Sequence, residues 1–170
     1  ENANNILISI LEDKNQEPMV RHEAAEALGA IGSEFAVSYL EKYQNDSTIE
    51  VAETCELALD RIKWLNEQKT KELSKTIYNS VDPAPPAEST DIKTLESVLT
   101  DENSSLFERY RAMFALRNIG SKDAIKILGE ALKCGSALFK HEIAFVLGQI
   151  QNKDSVLFLK QSLEDGNENE

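Results

Sequence analysis

Apolar residues recur three and four positions apart along most of this chain, and nowhere do they alternate in sustained steps of two. The first spacing marks a helix with one buried stripe; the second would mark half-buried strands. Ile92, Leu95, Val98 and Leu99 carry the helical spacing plainly. Apolar helical cores of this kind fall at 6–11, 35–43, 92–99 and 124–132, and each precedes a second helical segment. Local signals agree. Pro18 suits a first helical turn, and Ser136 is placed to cap a helix that begins before Leu138. Gly32, Gly120 and Gly135 fall where helices should end or the chain should turn. The expected fold class is all-α, without a sheet.

The second segments repeat. His22-Glu23-Ala24-Ala25-Glu26-Ala27-Leu28-Gly29-Ala30-Ile31 aligns with His141-Glu142-Ile143-Ala144-Phe145-Val146-Leu147-Gly148-Gln149-Ile150, sharing His-Glu and then Leu-Gly-x-Ile. A segment opening Glu53-Thr54 follows the first by 31 residues, and one opening Tyr110-Arg111 precedes the last by 31. Four helical hairpins in two pairs result. A hairpin of that size cannot bury its apolar face alone, so the hairpins must stack as a solenoid. Between the pairs, Ser80-Val81-Asp82-Pro83-Ala84-Pro85-Pro86-Ala87-Glu88 cannot be helical through its prolines. The organisation expected is a repeat pair over 1–66, an extended Pro-rich linker over 67–89, a second pair plus one unpaired helix over 90–165, and a tail over 166–170. The unpaired helix, at 153–165, carries Val156, Leu157, Leu159 and Leu163. It suggests either a fragment of a longer chain or a face for self-association.

Composition narrows the classes. The chain is 41% hydrophobic, which suits a folded domain, and no run of about 18 apolar residues could span a membrane. The first residues, Glu1 to Asn5, do not read as a signal peptide. Cys55 and Cys134 lie far apart and outside metal-like spacings, which points to reduced thiols in a cytoplasmic protein. A net charge of −12 disfavours nucleic acid and anionic membranes as partners. It either serves solubility alone or attracts a cationic partner.

The candidate chemistry is concentrated in the histidines. There are two, His22 and His141, each followed by Glu and each at the same repeat position. The other two copies carry Glu53-Thr54 and Tyr110-Arg111 there, so helical stacking itself does not require His-Glu. Neighbours on a helix point about 100° apart, so one dipeptide can offer an imidazole and a carboxylate to a single cavity. That donor pair, with coordination positions left open, is the ligand chemistry of non-haem iron. Surface decoration is the competing reading. Zinc-protease chemistry is disfavoured, because Glu26 and Phe145 stand where H-E-x-x-H needs its second histidine. Neither a Gly-rich phosphate loop nor a G-x-S-x-G elbow occurs. Trp64 reads as packing, and Arg109, Arg111 and Arg117 read as a solvated or ion-paired helix face.

Longer motifs carry a family resemblance. Glu17-Pro18-Met19-Val20-Arg21-His22-Glu23-Ala24, Val51-Ala52-Glu53-Thr54-Cys55, the proline segment above, Leu106-Phe107-Glu108-Arg109-Tyr110-Arg111-Ala112-Met113-Phe114-Ala115-Leu116-Arg117 and Gly135-Ser136-Ala137-Leu138-Phe139-Lys140-His141-Glu142 together resemble deoxyhypusine hydroxylase, a HEAT-repeat di-iron monooxygenase. The resemblance implies oxidation by O2 of a deoxyhypusine side chain on a translation initiation factor. It implies His22, His141 and Glu142 as iron ligands and Glu23 as the carboxylate that binds the substrate amine, with no catalytic group beyond these. The family carries four His-Glu motifs and this chain carries two. The chain is therefore expected to resemble the middle of a family member, and to be weakly metallated or inactive alone. The alternative is a non-catalytic HEAT adaptor that binds a basic protein.

Overall fold

A computed structural model describes residues 2–68, 78 and 80–166. These form nine α-helices: α1 (Asn2–Glu12), α2 (Pro18–Ile31), α3 (Val37–Tyr43), α4 (Ile49–Glu67), α5 (Ile92–Thr100), α6 (Leu106–Ile119), α7 (Lys122–Ala131), α8 (Ala137–Ile150) and α9 (Val156–Glu164). Short 3-10 turns, Glu34–Ala36 and Lys153–Ser155, lead into α3 and α9. Among the described residues no strand occurs. The all-α, hairpin-repeat fold expected from the periodicity is the one observed.

The helix ends follow from their residues. Pro18 opens α2, and Gly32 closes it in the left-handed conformation, φ +69°, returning its N–H to the Leu28 carbonyl. Gly120 closes α6 in the same way. A residue with a Cβ is strained there, which is why the stop signals were readable. The side chains of Asp91, Ser105, Ser121 and Ser136 cap α5, α6, α7 and α8 by accepting a backbone N–H.

The helices form two compact units. In the first, which includes α1–α4 and residues 81–85, α1 packs on α2, α3 on α4, and the second helices α2 and α4 pack on each other. Ile8, Leu11, Leu28, Leu40, Val51, Cys55 and Ile62 fill its core. The second unit includes α5–α9 and is built on hairpins α5–α6 and α7–α8. Its interior includes Leu95, Leu99, Tyr110, Phe114, Leu128, Phe139 and Leu147. In α9 no residue is fully buried; Phe158 lies on Gly129 of α7, while Val156, Leu157 and Leu163 are exposed.

Much of the expected linker, residues 69–77 and 79, lies outside the described residues, as do residues 167–170 of the expected tail. The described proline segment is irregular, as its prolines require, and it is packed: Asp82, Ala84 and Pro85 are buried. Arg61 Nη1 donates to the Asp82 carbonyl at 2.7 Å, fastening that segment to α4.

One glycine governs how closely α2 and α4 approach. A Cβ on Gly29 would lie 2.7 Å from the Cβ of Ala58 and 2.9 Å from its Cα. Gly148 occupies the same place in the second Leu-Gly-x-Ile, and a Cβ there would meet nothing within 4 Å among the described residues.

A buried arginine on α2 then ties the end of α1 to the start of α4. Arg21 Nε donates to the Leu11 carbonyl at the end of α1, at 2.9 Å. Its two terminal nitrogens hold Asp46 bidentately, at 2.7 and 3.2 Å. Asp46 in turn accepts the backbone N–H of Thr48 at the start of α4. Arg109, 88 residues later, repeats the anchor to Leu99 at 3.0 Å. Cys134 stands 88 residues after Asp46, so the carboxylate has no counterpart. Arg109 lies instead over the Phe139 ring at 4.0 Å, and its Nη2 makes no hydrogen bond.

The solvated face expected of α6 is corrected here. Arg109 and Arg117 are buried; only Arg111, ion-paired to Glu108 at 3.0 Å, fits that expectation. Arg117 donates to Gln149 at 2.9 Å and stacks on Tyr78 and Phe114. A guanidinium is planar and weakly hydrated, so a ring face and carbonyl-type acceptors replace its water shell.

Two predictions follow from this packing. Gly29→Ala should destabilise the first unit by about 1–3 kcal/mol, because Ala58 backbone must move, whereas Gly148→Ala should be neutral or gain up to about 1 kcal/mol. Urea unfolding followed by Trp64 fluorescence and far-UV circular dichroism checks the contrast. Arg21 holds the Asp46 carboxyl down to about 2, below its unfolded value of about 3.9. The stability this gives, about 2–3 kcal/mol, is complete above about pH 5 and is lost as pH falls through 4 toward 2. Asp46→Asn should cost about that much near neutrality, and its deficit against the wild type should close on acidification.

Candidate functional site

His22 lies one turn into α2, on the side facing α4, and is 4% exposed. Pro18 and the Arg21 fastening fix the start of the helix that carries it. Its Nδ1 lies 2.6 Å from Thr54 Oγ1 on α4. The same hydroxyl donates to the Glu50 carbonyl at 2.7 Å. Its Nε2 faces two carboxylates, 3.9 Å from Glu23 Oε1 and 3.8 Å from Glu26 Oε2. Glu26 follows His22 by one helical turn, the spacing that stacks side chains on one face.

The two glutamates differ in environment. Glu23 is 70% exposed at its side chain and Glu26 is 32% exposed. Burial raises the Glu26 carboxyl above the usual range, and the charges of Glu23 and Asp82 push the same way; Arg61 pulls it down. Arg61 is itself lowered by burial, although Asp82 and Glu26 support its charge. The first unit thus presents a buried imidazole and two acids on the α2 face, with the charge of Arg61 favouring the ionised form of Glu26.

The second unit presents its pair differently. His141 stands in the second turn of α8 and is exposed; Glu142 is half-buried and engaged. Phe145, one turn on, is 51% exposed, so no second carboxylate takes the place Glu26 has beside His22. Among the described residues, no three His, Cys, Asp or Glu side chains close around a common point as a metal cage requires. The donor types of the expected ligands nevertheless fit non-haem iron: His22 and His141 carry imidazole nitrogens and Glu142 a carboxylate, the nitrogen and oxygen ligands that such iron takes.

Neither cysteine joins these groups. Cys55 and Cys134 are free thiols, and burial pushes Cys55 up to about 12, well away from thiolate reactivity. Trp64 is half-buried. His22, Glu23, His141 and Glu142 stand out in the sequence, whereas Glu26 and Thr54 emerge as neighbours of His22 only in the structure. The i, i+4 spacing from His22 could have found Glu26. Thr54 is 32 residues from His22 and needs the stagger of α2 on α4 to be known.

Comparison with known proteins supplies the remaining context. A family model described as HEAT repeats matches residues 1–60, and one described as a PBS lyase HEAT-like repeat matches residues 108–134. Deoxyhypusine hydroxylase from Gallus gallus is 54% identical over 96% of this chain and 54% of its own length. The Homo sapiens protein of that name is 53% identical over 96% of the chain and 54% of its own length. The Drosophila melanogaster protein is 50% identical over 99% of the chain and 56% of its own length. A solved structure of human deoxyhypusine hydroxylase in complex with glycerol superposes with a TM-score of 0.94 at 51% identity, covering 99% of this chain and 58% of that one. The chain spans about half the length of the curated relatives it matches. With repeats, fold and long motifs in agreement, the chain belongs to the deoxyhypusine hydroxylase family.

Proposed function

We propose that this chain serves as a deoxyhypusine monooxygenase, hydroxylating a deoxyhypusine side chain on a translation initiation factor. The observation that carries this reading is identity of 50–54% over nearly the whole chain with three proteins of that name, with His22 buried beside two carboxylates.

In this reading His22, His141 and Glu142 are iron ligands. Bound iron would supply the activation of O2 that carbon hydroxylation needs. The chain's own groups do the rest. Glu23 is exposed enough to take the cationic amine of the substrate, and the half-buried Glu26 reinforces its negative potential. Burial of His22 keeps water from competing at its ring, since its Nδ1 side is sealed by Thr54. The overall charge of −12 draws a polyamine-like side chain toward such a face. Among the described residues no helix is long and apolar enough to cross a membrane. Free thiols at Cys55 and Cys134 favour the reducing cytoplasm.

The protein expressed from its complete coding sequence should copurify with iron and hydroxylate a deoxyhypusine-bearing initiation factor. His22→Ala and His141→Ala should each lower iron content and turnover by more than about tenfold. Wild-type protein without iron and without turnover would overturn the assignment.

A further inference from the structure

We propose that Thr54 is a positioning residue for the iron site: by accepting the Nδ1 proton of His22, it holds the imidazole in the tautomer whose lone pair is on Nε2. The inference rests on the reading of His22 as an iron ligand and extends it to a residue on a different helix.

The assignment comes from counting protons. A threonine hydroxyl has one hydrogen to donate and two lone pairs with which to accept. Thr54 Oγ1 lies 2.7 Å from the Glu50 carbonyl, which has no hydrogen of its own. The hydroxyl hydrogen is therefore spent on that carbonyl, a bond that helical threonines commonly make one turn back. Towards His22, 2.6 Å away, Oγ1 has only lone pairs left. Nδ1 must be the donor, so in the neutral ring Nε2 carries the lone pair.

The opposite edge of the ring gives this choice its consequence. Glu23 and Glu26 face Nε2 at 3.9 and 3.8 Å. Two carboxylates would otherwise draw the ring's single proton to Nε2 and block that nitrogen as a ligand. Thr54, itself 3% exposed and held by Glu50, gives the proton a better place on the other side. The ring then presents its lone pair to the same edge where the carboxylates stand, which is the arrangement a cation needs. Ligating histidines are generally oriented by a hydrogen bond from their other nitrogen, and loss of that bond typically costs about 10–100-fold in metal affinity.

The test compares Thr54→Val with Thr54→Ser. Valine matches threonine in shape and lacks the hydroxyl, whereas serine keeps it. The first measurement is the nitrogen NMR spectrum of histidine-labelled, metal-free 170-residue chain, with His22 assigned by its loss in His22→Gln. With the ring carrying one proton, wild type and Thr54→Ser should show the hydrogen on Nδ1, and Thr54→Val should move it to Nε2. The second is Co2+ titration of the metal-free protein expressed from its complete coding sequence. Thr54→Val should bind about 10–100-fold more weakly, and Thr54→Ser should restore most of the affinity. A wild-type hydrogen on Nε2 overturns the proposal. So does unchanged Co2+ affinity in a folded Thr54→Val protein. A wild type that takes up no Co2+ removes the iron reading, and the proposal with it, while the nitrogen spectrum still records which atom holds the proton.

Discussion

The close approach of α2 and α4 at Gly29 and Ala58 sets the geometry of the first unit. A methyl group added at Gly29 would lie 2.7 Å from the Cβ of Ala58, so any larger residue there must push the two helices apart. Helix axes held that close bring side chains on facing turns within hydrogen-bond reach. Thr54, one turn before Ala58, meets His22, two turns before Gly29. Arg21 and Asp46 lock the same two helices from the other end, binding the end of α1 and the start of α4 through one guanidinium. Apolar burial supplies the bulk stabilisation, but it is non-directional. The glycine contact and the buried ion pair fix where one helix stops against the other.

That fixation gives a histidine on an ordinary helical repeat its chemical orientation. A surface imidazole can carry its proton on either nitrogen and rotate between partners. His22 is buried, bonded on one edge and faced by acids on the other. His141 stands on an equivalent sequence motif but is exposed, with Phe145 where His22 has Glu26. The two His-Glu pairs are thus alike in sequence and unlike in surroundings. In the second unit a Cβ on Gly148 would meet nothing within 4 Å among the described residues, and no residue of α9 is fully buried.

How much of this was legible in the sequence depends on range. The helices and their ends were, because Pro18, Gly32, Gly120 and Ser136 act on their own few residues. The hairpin pairing was, because the repeat writes it twice. Within the site, His22, Glu23, His141 and Glu142 stood out by composition and position, and Glu26 was available from one helical turn. Arg109 and Arg117 read as a solvated or ion-paired face because a charged side chain is rarely buried unless it is paired, and their partners are remote in sequence. Those partners, the Leu99 carbonyl, the Phe139 ring and Gln149, lie 10 to 32 residues away. Thr54 was invisible for the same reason: its role depends on a stagger between helices that periodicity does not encode.

His22 meets iron through Nε2, in this proposal, with Nδ1 kept on Thr54. Diffraction at the iron absorption edge, from crystals of the iron-loaded protein expressed from its complete coding sequence, addresses it directly. An anomalous peak is expected at bonding distance from His22 Nε2, with the Thr54 contact intact. A peak bonded to Nδ1, or iron bound with none at His22, would contradict it.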